Sequence, residues 1–199
     1  VPYGGSAAKE REKIDWSVKL WDENDADGEM ETASFEMGLI DGSWKARWID
    51  PELPHEEAQR QPSSVLRKRF MAPEVKRARL YITCHGLYEA YINESRVGNF
   101  VLAPGTYTYD KKLAYQTYDV TDLVKEGENQ VQVILGDGWY RSCSGVDGDR
   151  NLYGEDIALY FQLEIDGKVV CISDENWQAS QMGPIRENDM QQGEVIDAS

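Results

Sequence analysis

Residues 135–142 read Leu-Gly-Asp-Gly-Trp-Tyr-Arg-Ser and follow the run Val131-Gln132-Val133-Ile134. Two glycines bracket Asp137, and Trp139, Tyr140 and Arg141 stand in a row. Glycine enters positive φ without a steric penalty, so an alternating strand that meets Gly136-Asp137-Gly138 is expected to turn sharply, with the aromatic pair beginning a loop. A Trp-Tyr-Arg cluster at a strand end supplies a flat apolar face with polar tips, the chemistry that stacks on sugar rings or aromatic ligands. The same residues also suit a structural role: Trp139 and Tyr140 plug the end of the core, and Asp137 caps the turn.

Other chemistries find little to work with. Cys84, Cys143 and Cys171 are odd in number and lack a C-x-x-C spacing, which suggests neither a disulfide framework nor a zinc site. With only His55 and His85 a histidine-rich metal centre is excluded, and the surroundings of Ser142 and Ser144 do not resemble a nucleophile elbow. Two acidic stretches invite a calcium-loop reading. In the loop beginning at Glu23 the terminal bidentate glutamate position holds Ser34; in the one beginning at Asp147 the glycine position holds Leu152 and the glutamate position Ala158. Both read as solvated acidic loops. A glycosidase pair of carboxylates cannot be picked from 36 acidic residues, because sequence does not measure the distance across a cleft.

The elements that must hold Trp139 and its neighbours are short strands. Alternating or apolar runs occur at 65–71, 78–84, 88–92, 115–120, 130–135, 157–165 and 168–172, and five Asp-Gly pairs punctuate the chain. Asp166-Gly167 between two such runs is the strongest hairpin signal. Helical periodicity is confined to 7–14 and 55–60. This pattern predicts an all-β fold, an antiparallel β-sandwich of jelly-roll type. Upstream, Trp16-Ser17-Val18-Lys19-Leu20-Trp21, the acidic turn 22–29 and an extended piece at 33–37 predict a hairpin, with a boundary near Trp44. A lone hairpin is marginal in water, so it is expected to belong to a larger sheet.

The 199 residues suffice for one good-sized domain plus part of another, and 41% hydrophobic content suffices for a core. A formal charge of −15 argues against nucleic acid and anionic membranes as partners, since both need a basic footprint. No apolar run approaches a membrane-spanning length, and the N-terminal stretch lacks the apolar centre of a signal peptide.

Four blocks in order carry a family resemblance: Ala78-Arg-Leu-Tyr-Ile-Thr-Cys-His-Gly-Leu-Tyr-Glu-Ala-Tyr-Ile-Asn93, Leu102-Ala-Pro-Gly105, Leu113-Ala-Tyr-Gln-Thr-Tyr-Asp-Val-Thr121 and Leu135-Gly-Asp-Gly-Trp-Tyr-Arg141. Together they resemble the N-terminal ancillary, lectin-like region of bacterial α-L-rhamnosidases of glycoside hydrolase family 78. The closing stretch, Gly183-Pro-Ile-Arg-Glu-Asn-Asp189 with Gly193-Glu194, is similar to the segment that leads to the next domain. The resemblance implies that 1–43 are the last strands of a fibronectin type III-like domain and that 44–199 are a galactose-binding-like β-sandwich. It also implies a downstream catalytic barrel in the full-length chain, which carries the inverting glycosidase machinery. The barrel's Asp-Cys-Pro-Gln-Arg type motif is absent here, so catalytic residues are expected to be none.

In related enzymes such a sandwich serves as a lectin-like module, in some cases holding L-rhamnose with calcium, and calcium is the one cofactor the resemblance leaves open. The partner it implies is a rhamnose-containing glycan. Trp139 is then expected to offer its face to the sugar, beside Tyr140, with Asp137, Arg141 and Asp110 taking hydroxyl hydrogen bonds. Burying roughly 60 Å² against such a ring contributes about 1.5 kcal/mol, so two such platforms and a few hydrogen bonds are expected to give an affinity near millimolar. The family pattern Pro-Gly-Trp-Thr-Asp-Tyr is replaced here by Pro104-Gly105-Thr106-Tyr107-Thr108-Tyr109, followed by Asp110. A sugar site at that place would be remade with Tyr107 and Tyr109. The competing reading is a structural module in which Trp139, Tyr140 and Glu89 pack against and orient the barrel.

Overall fold

The computed structural model describes residues 4–40, 42–56 and 59–197. It divides into two compact units, Val1–Trp44 and Lys45–Ser199.

In the first unit β1 (Lys13–Trp21) and β2 (Asp27–Glu36) pair antiparallel, one to one from Lys13 opposite Glu36 to Lys19 opposite Met30. Between them Asp22 Oδ1 accepts the N–H groups of Asn24 at 2.8 Å and Ala26 at 2.9 Å, a local device that closes the turn. The helical periodicity at 7–14 does not become a helix. Arg11 donates its N–H to Met37 O and Met37 donates back to Glu12 O, so backbone pairing with the far strand overrides the local preference. Because side chains alternate along a strand, Ile14, Trp16, Val18 and Leu20 share one face. Trp16 remains 49% exposed, Trp21 58% and Phe35 49%. Two strands with their aromatics in water have little to hold them closed. Hydrogen exchange is expected to open 13–36 well before Val131 and Val133; equal protection of the two would show that further packing holds the hairpin closed.

The second unit contains β3 (Ser64–Ala72), β4 (Ala78–His85), β5 (Leu87–Ile92), β6 (Ser95–Arg96), β7 (Gln116–Asp119), β8 (Gly127–Gly136), the one-turn helix α1 (Gly138–Arg141), β9 (Ala158–Ile165), β10 (Lys168–Ile172), β11 (Gln178–Ser180), β12 (Ile185–Glu187) and β13 (Val195–Ile196). Two antiparallel sheets form the sandwich, one ordered β10-β9-β4-β7 and the other β11-β3-β8-β5-β6, while β12 pairs with β13. The β8 sequence shows why the sheets face each other. Asn129, Val131, Val133 and Leu135 are buried at every second position, between less buried Gln130, Gln132 and Ile134. Val131, Val133 and Leu135 meet Leu80, Ile82, Cys84, Leu159, Phe161 and Leu163 of the opposite sheet in one apolar core. Asp166 and Gly167 have φ values of +49° and +76°, the left-handed pair that a two-residue hairpin requires between β9 and β10. The other periodic stretch, 55–60, shows no helix at its described residues, and 57 and 58 lie outside them.

The order of strands sends β4, β8 and β9 toward the same end of the sandwich. His85, Gly136 and Ala158 are the terminal residues there, with Leu87 paired to Gly136 and His85 to Ala158. The chemistry-bearing residues collect at this end.

Candidate functional site

At the exit of β8 the chain does not run into an open loop. Gly138 has φ +54°, and the bonds Arg141 N–H to Asp137 O (3.1 Å) and Ser142 N–H to Gly138 O (3.1 Å) wind the Gly-Trp-Tyr-Arg segment into α1. One helical turn places Arg141 four residues on from Asp137, on the same face. Asp137 is fully buried, and its Oδ1 accepts from Arg141 Nε at 3.0 Å and Nη2 at 2.7 Å. Its Oδ2 accepts from Arg150 Nη2 at 3.1 Å. Arg150 also donates through Nη1 to Asp189 Oδ2 at 2.6 Å, and Asp189 gathers the N–H groups of Cys143, Gln191 and Gln192 at 2.8–2.9 Å.

This is a buried quartet of two carboxylates and two guanidiniums, which ties together the β8 exit, the 142–153 loop and the C-terminal segment. Burial pushes the Asp137 carboxyl above its ordinary range, against the pull of Arg141 and Arg150. Asp189 is also desolvated, but the three amides and Arg150 outweigh that and hold its carboxyl below the usual value.

Beside the quartet runs a stack of aromatic rings. Tyr140, projecting from α1, lies 4.6 Å from His85 at 10° between planes; on the imidazole's other neighbour, Trp48, the centroid distance is 4.2 Å. Tyr160 of β9 stacks on Trp48 at 5.0 Å. Tyr109 meets Tyr140 edge-on at 5.2 Å and Tyr153 at 5.1 Å, and its hydroxyl donates to Gly105 O at 3.0 Å. Pairing explains the placement: Ile49 bridges to Leu159 on the stretch of β9 that β10 does not reach, so its neighbour Trp48 is directed to the side that carries Tyr160. Burial lowers the His85 pKa, which keeps the sandwiched imidazole neutral at pH 7. Asp50 and Asp156 lie close enough to Tyr140 to act on its hydroxyl, whose pKa burial and these two charges raise.

The residues expected from sequence to form a sugar site therefore separate into three groups. Asp137 and Arg141 are brought together as partners in the buried quartet, where they bond to each other, to Arg150 and to the Glu155 carbonyl. Tyr140 and Tyr109 are brought together in the ring cluster, each 9% exposed. Trp139 is half-buried on α1, and Asp110 is exposed and bridges to its neighbour Lys111 at 3.2 Å. Sequence reasoning missed Trp48, His85, Tyr153 and Tyr160. The available signal was Tyr160 alternating with Leu159 and Phe161 on β9; Trp48 gave none, because the chain around it pairs through a single bridge. Among the described residues no three His, Cys, Asp or Glu side chains converge on a common point.

Residues 73–199 match the family described as the α-L-rhamnosidase N-terminal domain, and residues 1–41 match the Rha78A-like N-terminal immunoglobulin domain. An α-L-rhamnosidase of Formosa agariphila is 36% identical over 214 residues, covering 100% of this chain and 23% of that protein. The crystal structure of native α-L-rhamnosidase from Aspergillus terreus superposes with a TM-score of 0.92 at 36% identity, over 100% of this chain and 24% of the other. The Streptomyces avermitilis α-L-rhamnosidase, solved in complex with L-rhamnose, gives 0.66 at 42% identity over 70% of this chain and 14% of its own. The chain thus spans about a quarter or less of the length of these relatives.

Proposed function

This chain belongs to the N-terminal region of the α-L-rhamnosidases, and from that premise we propose that it is a non-catalytic module which recognises rhamnose-bearing glycans beside a catalytic domain placed further along the full-length protein. The observation that carries the reading is the match over the whole chain to only 23% of an α-L-rhamnosidase. The cleaving groups then belong to the larger remainder. The buried carboxylates found here, Asp137 and Asp189, support this: each is bound by arginine, and neither lies open to act as acid or base on a glycosidic oxygen.

The second reading, a module that orients the catalytic domain, is favoured by Phe100, Val101 and Leu102, three consecutive apolar residues that are 51%, 66% and 50% exposed. Both roles can coexist, since the ring stack and this loop use different residues.

The purified chain should not hydrolyse aryl α-L-rhamnosides above a buffer blank, and should bind L-rhamnose with a dissociation constant near 1 mM in a calorimetric titration, about −4 kcal/mol. Turnover by repurified protein would refute the non-catalytic assignment. Absence of heat and of ligand-observed saturation transfer at 20-fold higher sugar would refute recognition and leave the orienting role.

A further inference from the structure

We propose that Asp147 converts spontaneously to isoaspartate in the folded protein, and that the conversion loosens Arg150 from the buried quartet. The reaction needs no partner beyond water, so it stands apart from the recognition reading.

The chemistry is that of an aspartate followed by a glycine. The Gly148 amide nitrogen attacks Cγ of the protonated Asp147 carboxyl; an N–Cγ bond forms, the Cγ–OH bond breaks, and the hydroxyl leaves with the amide proton as water. Water then opens the five-membered imide. Addition at the side-chain carbonyl returns aspartate, whereas addition at the main-chain carbonyl leaves the main chain running through Cβ and Cγ, one methylene longer, with the former α-carboxyl free. One water is released and one consumed, so neither mass nor redox state changes. The attack needs a carboxyl free to swing onto the next nitrogen, an N–H with no other partner, and a backbone able to turn; glycine adds no side chain to block the approach.

Five Asp-Gly pairs occur, and the structure separates the four whose aspartate is described. Asp137 is fully buried and bonded to two arginines. Asp166 is pinned in the turn between β9 and β10, its N–H donating to Arg77 O at 2.9 Å and its Oδ1 accepting the Arg77 N–H at 3.0 Å. Asp27 pairs with Trp21 in the hairpin and bridges to Lys19 at 2.8 Å. Asp147 is exposed beside the fully exposed Val146, and among the described residues neither its carboxylate nor the Gly148 N–H has a hydrogen-bonding or ionic partner.

The position of the pair gives the change a consequence. Residues 145–148 form a short loop whose ends are tied by Ser144 N–H to Asp149 O at 2.8 Å, and Cys143 Sγ donates to Gly148 O at 3.2 Å. Arg150 follows directly, and donates to Asp137 at 3.1 Å and to Asp189 at 2.6 Å. A further main-chain atom in so short a loop displaces its ends, and hydrogen bonds weaken steeply when their geometry is lost.

The test incubates the purified protein in warm, mildly acidic buffer, folded and in urea, and follows isoaspartate at each pair by tryptic mapping. Cleavage after Arg141 and Arg150 isolates this pair in the peptide 142–150, apart from Asp137 in 126–141 and Asp166 in 151–168. In the folded protein Asp147 should convert within about threefold of its rate in urea, whereas Asp137 and Asp166, which react only through opening of the sandwich, should slow at least about tenfold. Asp27 should fall between, because the hairpin opens more readily. Asp147→Ser should abolish isoaspartate in 142–150 without shifting the urea midpoint of fresh protein. Aged parent, once most of that peptide is isomerised, should show a lower midpoint than fresh parent, while aged Asp147→Ser keeps its own. Protection of Asp147 as strong as that of Asp137 overturns the modification. An isomerised parent with an unchanged midpoint, or an equal loss in aged Asp147→Ser, overturns its coupling to Arg150.

Discussion

An Asp137→Ala variant is expected to unfold at a markedly lower denaturant concentration than the parent, with a stability loss of about 3–5 kcal/mol. The reason lies in what remains. Asp137 has no exposed surface, and removing it leaves the guanidiniums of Arg141 and Arg150, 7% and 11% exposed, without the carboxylate that receives three of their N–H groups. Asp189 can still hold Arg150, but Arg141 keeps only the Glu155 carbonyl at 2.9 Å. A buried charge without a counter-charge costs several kcal/mol, whereas an exposed pair costs almost nothing to break. Asp110→Ala, which removes a bridge whose partners are 57% and 76% exposed, should therefore stay within about 0.5 kcal/mol of the parent. Equilibrium urea unfolding of the three proteins makes the comparison. Equal midpoints for Asp137→Ala and the parent would mean that the quartet is not a buried ion network in solution. Domains of this kind are stable by only about 5–15 kcal/mol, so the expected loss is about a fifth of the total at the least.

That quartet also shows where sequence reasoning runs out. The strand pattern was legible because its causes are local: β8 alternates in side-chain character with period two, and Asp166-Gly167 is a turn written in two residues. In the sandwich the observed strand ends lie within three residues of the sequence reading, β10 matching it and β8 beginning at Gly127 and not at Gln130, while β2 of the hairpin begins six residues early, at Asp27. The buried ion network has no such local signature. Asp137 meets Arg141 one helical turn away, but it meets Arg150 across a loop, and Asp189 joins from the far end of the chain. Nothing local marks Asp189 among 36 acidic residues or ties Asp137 to it. The motif Gly136-Asp137-Gly138-Trp139-Tyr140-Arg141 drew notice for good reason, yet the attributes that suggested sugar binding divide between scaffold and surface. Asp137 and Arg141 build the scaffold; Tyr140 passes the order outward through His85 to Trp48.

The second large effect is expected from Gly86→Ala, at about 2–6 kcal/mol, the sum of roughly 1–3 for backbone strain and roughly 1–3 for overpacking. Gly86 joins β4 to β5 at φ +110°, where any side chain is strained, and a Cβ there would stand 2.3 Å from the carbonyl oxygen of Gly136. Neither partner can step aside cheaply, because that oxygen belongs to the paired end of β8 and Leu87, the next residue, is in register with Gly136. Gly138 repeats the constraint from the other side: a Cβ on it would come within 2.9 Å of the Gly86 carbonyl carbon. Two sequence blocks about fifty residues apart thus meet through glycine backbones, and that close approach seats α1 so that Tyr140 can lie on His85. Gly105→Ala separates the two costs, since Gly105 has a similar φ of +108° but a Cβ there would be 3.6 Å from the Tyr107 ring and touch no backbone. It should lose only the strain portion, about 1–3 kcal/mol. Urea midpoints with unchanged slopes, read together with the near-ultraviolet dichroism of the ring stack, distinguish the cases. Equal losses for the two variants would show that conformation alone is at stake and that the contact between Gly86 and the end of β8 does not position the stack.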